Sequence, residues 1–88
     1  MHLKHILVKN KFEAEDLLRM LKQGKIFEDL AKKFSTCSSA ASGGDLGFVH
    51  PKKLDPDFFE SAQMLKSGQI SPSPVRTKFG YHLIKRES

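Results

Sequence analysis

The stretch FGYHLIK, Phe79 to Lys85, decides how the rest of the chain is read. Lys78-Phe79-Gly80 marks a turn. From Tyr81 to Arg86 the side chains then alternate, Tyr81 and Leu83 on one side, His82 and Ile84 on the other, as a strand requires. Its counterpart stands at the opposite end of the chain, where Leu3 to Val8 reads as a second strand. Leu3, His5 and Leu7 share one face of it and Lys4, Ile6 and Val8 the other. These two are the longest and most apolar strand candidates. They are therefore expected to be central neighbours in one sheet, covered by the helices that lie between them in sequence.

The intervening sequence supplies those helices. Asn10 offers an N-cap with Glu13 as its capping-box partner. Ala14, Leu17, Leu18 and Leu21 follow at helical spacing until Gly24 stops the run. Phe27, Leu30, Ala31 and Phe34 line a second, shorter helix, and the loop TCSSAASGGD comes after it. Leu46 to Val49 is a short strand candidate. Asp55-Pro56 opens a third helical run, a capping carboxylate followed by proline at the first helical position. Phe58, Ala62 and Leu65 line this run, and Gly68 is expected to end it. Ser71 to Pro74 carries two prolines and must be irregular, and Val75 to Thr77 can pair as an edge strand. The fold class that results is α+β.

At 88 residues, 39% hydrophobic and 28% charged, the chain has the composition of one globular domain spanning 1–88. Its one cysteine, Cys37, cannot form an internal disulfide, which suits a reducing, cytoplasmic setting. Neither a signal peptide nor a run long enough to cross a membrane is read. The net charge of +5 is spread along the chain without interleaved aromatics, so a nucleic-acid partner is not expected. His2 and His5 point to opposite faces of a strand and cannot chelate one metal ion. Gly43-Gly44-Asp45 lacks the Lys-Ser/Thr of a phosphate loop. No metal and no cofactor are expected.

Five segments, in order, carry a family resemblance: HILV (His5–Val8), FEDLAKKFS (Phe27–Ser35), GGDLGFV (Gly43–Val49), LKSGQIS (Leu65–Ser71) and FGYHLIK (Phe79–Lys85). Across His2 to Arg86 the chain resembles the parvulin-type peptidyl-prolyl cis/trans isomerases. The resemblance implies a βα3βαβ2 fold with a four-stranded, mostly antiparallel sheet, the third helix being a short one over Ser38 to Ser42. It puts the family's paired histidines on His5 and His82 and its active-site Cys or Asp on Cys37. It puts a hydroxyl on Thr77, the apolar proline pocket on Leu46, Leu54 and Phe58, and the position before the closing strand's glycine on Phe79. Gln63 departs from the pattern, standing where many members carry an apolar residue.

The implied reaction is rotation of an Xaa-Pro bond without a cofactor and without a covalent step. His5 and His82 are expected to face each other and to orient Cys37 and Thr77 instead of passing a proton to substrate. For Cys37 itself a nucleophile and a small buried hydrophobe are the outer readings, and the preferred one lies between them: a polarisable group near the swinging carbonyl. The expected partners are proline-containing peptides and unfolded or partly folded proteins, met by a monomer. The phospho-specific branch of the family has an Arg/Lys cluster in a longer loop after the first strand. Here that loop is Lys9-Asn10-Lys11, so no phosphate requirement is expected. Lys9 and Lys11 would give at most a mild preference for acidic side chains before proline. The alternative reading is a catalytically weak, chaperone-like module that holds extended chains.

Overall fold

A computed structural model describes all of Met1–Ser88. In chain order the elements are β1 (His2–Val8), α1 (Lys11–Lys22), α2 (Phe27–Phe34), a 3₁₀ helix over Ser38–Ser42 and β2 (Asp45–Phe48). A 3₁₀ turn (Pro51–Lys53), α3 (Pro56–Gln63), β3 (Val75–Thr77) and β4 (Gly80–Arg86) complete it. The four strands form one sheet in the order β2-β1-β4-β3, and each neighbouring pair is antiparallel. The first and last strands are therefore the central pair, and the expected short third helix is the 3₁₀ segment.

The sheet is covered on both faces. Ile6, Val8 and Leu83 pack under α1 and α2 with Ala14, Leu17, Leu18, Phe27, Leu30 and Ala31. Leu3 and Ile84, from the opposite face of the same strands, pack with Phe58, Ala62 and Leu65, and Leu46, Val49, Leu54 and Val75 close around them. The period-two alternation of β1 and β4 thus assigns each residue to one core or the other. It also puts His5 and His82 on the α3 side, with Leu3 and Ile84.

Two glycines permit close approaches that shape this side. Gly44 (φ +83°) lies so near β1 that a Cβ there would run into the carbonyl oxygen of His5. Its own carbonyl accepts the His5 N–H at 2.9 Å. Gly80 (φ +138°) lets the β3–β4 turn pass the Val8 carbonyl, which a Cβ would meet at 2.5 Å.

Several expectations need correction. The backbone of Asn10 is extended as an N-cap should be, but its side chain makes no capping hydrogen bond, so the Asn10–Glu13 box is not formed. Asn10 is exposed, and water can satisfy that helix end. The helix begun at Asp55-Pro56 stops at Gln63 instead of running to Gly68. The chain must leave the helix early because Gly68 to Ser71 binds back along β4, with Arg86 N–H on Gln69 O at 3.0 Å and Ser71 N–H on Ile84 O at 2.8 Å. Leu65, beyond the helix, is still buried. β2 begins at Asp45, one residue earlier than expected. Gln63 is exposed, so its polarity does not alter the packing beneath α3.

Candidate active site

His5 lies opposite Ile84 in the β1–β4 register, and His82 lies opposite Leu7. The two histidines are therefore diagonal neighbours on one face, close enough for long side chains to meet. Their Nδ1 atoms are 3.0 Å apart, and both residues are about 95% buried. His82 Nε2 is 2.7 Å from Thr77 Oγ1, and His5 Nε2 is 3.2 Å from Ser39 Oγ. The Phe79 N–H donates to Thr77 Oγ1 at 3.2 Å, so that hydroxyl is held from both sides.

Phe58, on the first turn of α3, sets its ring nearly perpendicular to both imidazoles, with centroid separations of 5.6 Å to His5 and 5.0 Å to His82. The Asp55 side chain caps this helix by accepting from the Asp57 N–H at 3.0 Å, which fixes where Phe58 enters the core. Burial pushes the His5 imidazole down to about 4, and the neighbouring His82 pushes it the same way. Burial also pushes His82 down to about 4, against the opposing pull of the Asp55 carboxylate. Both rings are neutral near pH 7.

Two neutral imidazoles sharing one Nδ1–Nδ1 contact carry one hydrogen between them there. If His82 donates to His5, then Thr77 must donate to His82, and His5 donates onward to Ser39. If His5 donates to His82, every bond in the row reverses. Thr77, His82, His5 and Ser39 therefore act as a single polar row whose members cannot change tautomer independently.

In front of this row lies a cavity of about 270 Å³, lined by His5, Leu7, Cys37, Leu46, Lys53, Leu54, Asp55, Phe58, Phe79 and His82. Of the eight expected site residues, seven line it directly, and the eighth, Thr77, supports His82 from behind. Cys37 is half-buried at the N-terminal edge of the 3₁₀ helix. Burial alone would raise its thiol pKa, but hydrogen bonds from the side chains and backbones of Ser39 and Ser38 outweigh that and hold it below the ordinary value.

His5 Nε2 thus meets the Ser39 hydroxyl, and Ser39 is also one of the residues that lower the Cys37 thiol. Sequence reading missed Ser39, Leu7, Lys53 and Asp55. Leu7 could have been found, since it shares the face of His5 on β1. Lys9 and Lys11 lie outside the lining, and Lys11 is the first residue of α1.

Comparison with known proteins identifies the family. Residues 5–88 match the family model described as Rotamase, PPIC-type PPIase domain. The foldase protein PrsA of Bacillus subtilis (strain 168) is 51% identical over 83 residues, covering 93% of this chain and 28% of that protein. The parvulin NmPin of Nitrosopumilus maritimus superposes with a TM-score of 0.88 at 37% identity, covering 100% of this chain and 95% of that one. A third match comes from work on the virulence factor PEB4 and the periplasmic protein Cj1289 of Campylobacter jejuni, described as SurA-like chaperones. It has a TM-score of 0.93 at 38% identity and covers 99% of this chain and 37% of that one. The chain spans less than a third of the length of the curated PrsA relative.

Proposed function

The chain belongs to the PPIC-type peptidyl-prolyl isomerase (parvulin) family, and on that premise we propose that it assists protein folding by rotating Xaa-Pro peptide bonds non-covalently, with residues 1–88 acting as one isomerase domain. Rotation is slow because the C–N bond has partial double-bond character, with a barrier of roughly 18–20 kcal/mol. No bond has to break. The site need only bind the twisted amide better than either planar form.

The observation that carries this reading is an apolar, residue-sized cavity set against a neutral, dry polar row. At about 270 Å³ it lies just below the range of about 300–1,000 Å³ usual for small-molecule pockets, which suits a single side chain. In our reading Leu46, Leu54 and Phe58 grip the proline ring, with Phe79 closing the rim. Cys37 lines the path of the swinging carbonyl. The Thr77–His82–His5–Ser39 row is a positioning device: its members hold one another and pack against the Phe58 ring, so the wall does not yield as the amide twists. A fixed environment of this kind costs nothing to reorganise at the moment of rotation.

The partners follow from the same site: proline-containing segments of unfolded or partly folded chains. No phosphate requirement is proposed, because only Lys9 and Asn10 connect β1 to α1. Action as a monomer is part of the proposal. No helix is long and apolar enough to cross a membrane. The lone free thiol favours the cytoplasm, whereas the match described alongside the periplasmic protein Cj1289 favours an exported setting. The proposed rotation is the same in both, since the site contains no disulfide.

NMR exchange spectroscopy on a short Xaa-Pro peptide tests the proposal. Catalytic amounts of the chain should speed cis/trans exchange well beyond the spontaneous time of tens to hundreds of seconds. Peptide shifts that report binding with no gain in exchange rate would replace it with the holding, chaperone-like reading.

A further inference from the structure

Among the residues lining the cavity two carry charge, and they are not equivalent. Asp55 is committed: its carboxylate caps α3 by accepting from the Asp57 N–H, at the positive end of that helix. Lys53 is uncommitted: it is exposed and makes no ion pair with any carboxylate of the chain. It is the last residue of the 3₁₀ turn and directly precedes Leu54, one of the walls proposed to grip proline. A second cation, Lys78, outside the lining, sits over the ring of Phe79, a lining residue, with its Nζ 5.2 Å from the ring centroid. A peptide whose proline enters the cavity must bring its neighbouring side chains past Lys53.

We propose that Lys53 is a specificity-determining residue that favours an acidic side chain directly flanking the proline of the substrate. The inference rests on the isomerase reading and deepens it. Lys53 is tied to a wall of the cavity by the peptide bond to Leu54, so its ammonium group stays close to whatever the wall holds. Lys9 and Lys11 are not in the lining and have no such tie. One exposed charge pair gives a modest gain, a preference of about two- to five-fold. Salt should screen it, since the Debye length falls from about 30 Å at 0.01 M to about 3 Å at 1 M.

The test is a set of otherwise identical peptides with Glu, Gln or Lys directly before proline, and a second set with the same residues directly after it. Each is measured by exchange spectroscopy at low and high salt, and the Glu and Lys rates are divided by the Gln rate of the same protein. In the wild type the Glu/Lys ratio should exceed unity by about two- to five-fold at low salt in at least one set, and collapse at high salt. Lys53→Gln should bring the ratio to near unity and Lys53→Glu should invert it, while Lys11→Gln leaves it as in the wild type. A wild-type ratio of one in both sets, or a preference that survives Lys53→Glu, overturns the proposal. If the wild type accelerates none of the peptides, the isomerase reading itself fails, and that outcome is distinct from a flat ratio.

Discussion

His5 and His82 meet through their Nδ1 atoms at 3.0 Å, with ring planes only 19° apart. A doubly protonated imidazole donates from both nitrogens, so one ring can be charged only while the other stays neutral and accepts at Nδ1, and charging both would set two hydrogens against each other. The pair therefore couples the acid stability of the fold to the geometry of the site.

The first prediction concerns pH. Both folded imidazoles titrate near 4, below the ordinary value of 6.5. Below 6.5 the unfolded chain binds protons that the folded chain refuses. Stability is complete above about pH 6.5 and is lost as the pH falls towards 4, by about 1 kcal/mol per pH unit for each imidazole. Urea midpoints should fall steadily between pH 7 and pH 5, above the carboxylate range. A midpoint that stays constant over this interval would mean the imidazoles are not held neutral.

The second prediction separates loss of one histidine from loss of both. His5→Leu leaves the buried Nδ1 of His82 without a partner, at a cost of about 1–3 kcal/mol. His82→Leu strands His5 in the same way. Replacing both removes the orphaned atom, so the double variant should be more stable than the sum of the singles allows, by about 1 kcal/mol. Its turnover should fall even so, because the proposed row behind Phe58 is gone. If the double variant kept full stability and full turnover, the positioning role would be wrong.

Much of the fold is legible in the sequence, for a specific reason. Alternation in β1 and β4 ties each side chain to one face of the sheet, so once the two strands are neighbours, His5 and His82 must share a face. Asp55-Pro56 likewise announces a helix start through chemistry confined to three residues. Contacts that depend on loop path are not legible. Ser39 is one of several small polar residues in TCSSAASGGD, and nothing in that composition shows which hydroxyl reaches His5. Lys53 reaches the cavity because the 3₁₀ turn after His50 carries it there, and three residues have no period to read. The early end of α3 is set by the pairing of Gly68–Ser71 with β4, which no signal inside the helix foretells.

The third prediction tests whether the approach of Gly44 to β1 builds the site. Gly24 and Gly44 both have positive φ, +96° and +83°, but a Cβ at Gly24 meets nothing within 4 Å, whereas one at Gly44 strikes the His5 carbonyl. Gly24→Ala should cost only the left-handed backbone penalty, about 1–2 kcal/mol. Gly44→Ala should cost more and also displace His5, so thermal denaturation should rank the two clearly and turnover should drop only in Gly44→Ala. Equal melting temperatures would show that the strand yields freely at His5.

The last prediction decides between the readings of Cys37. A nucleophile must form a bond to the substrate carbonyl, and a carboxylate in its place would not substitute for it. A polarisable wall group has only to offer electron density and accept the hydrogen bonds of Ser38 and Ser39, and a carboxylate can do both. Cys37→Asp should therefore keep turnover within about tenfold of the wild type, a change of about 1.4 kcal/mol in barrier. Cys37→Ala, which loses the acceptor, should be the more impaired of the two. Mass spectrometry of the wild type during turnover should show no adduct at Cys37. A stoichiometric acyl adduct, together with complete loss of activity in Cys37→Asp, would make the thiol a covalent participant and remove the basis for rotation by grip alone.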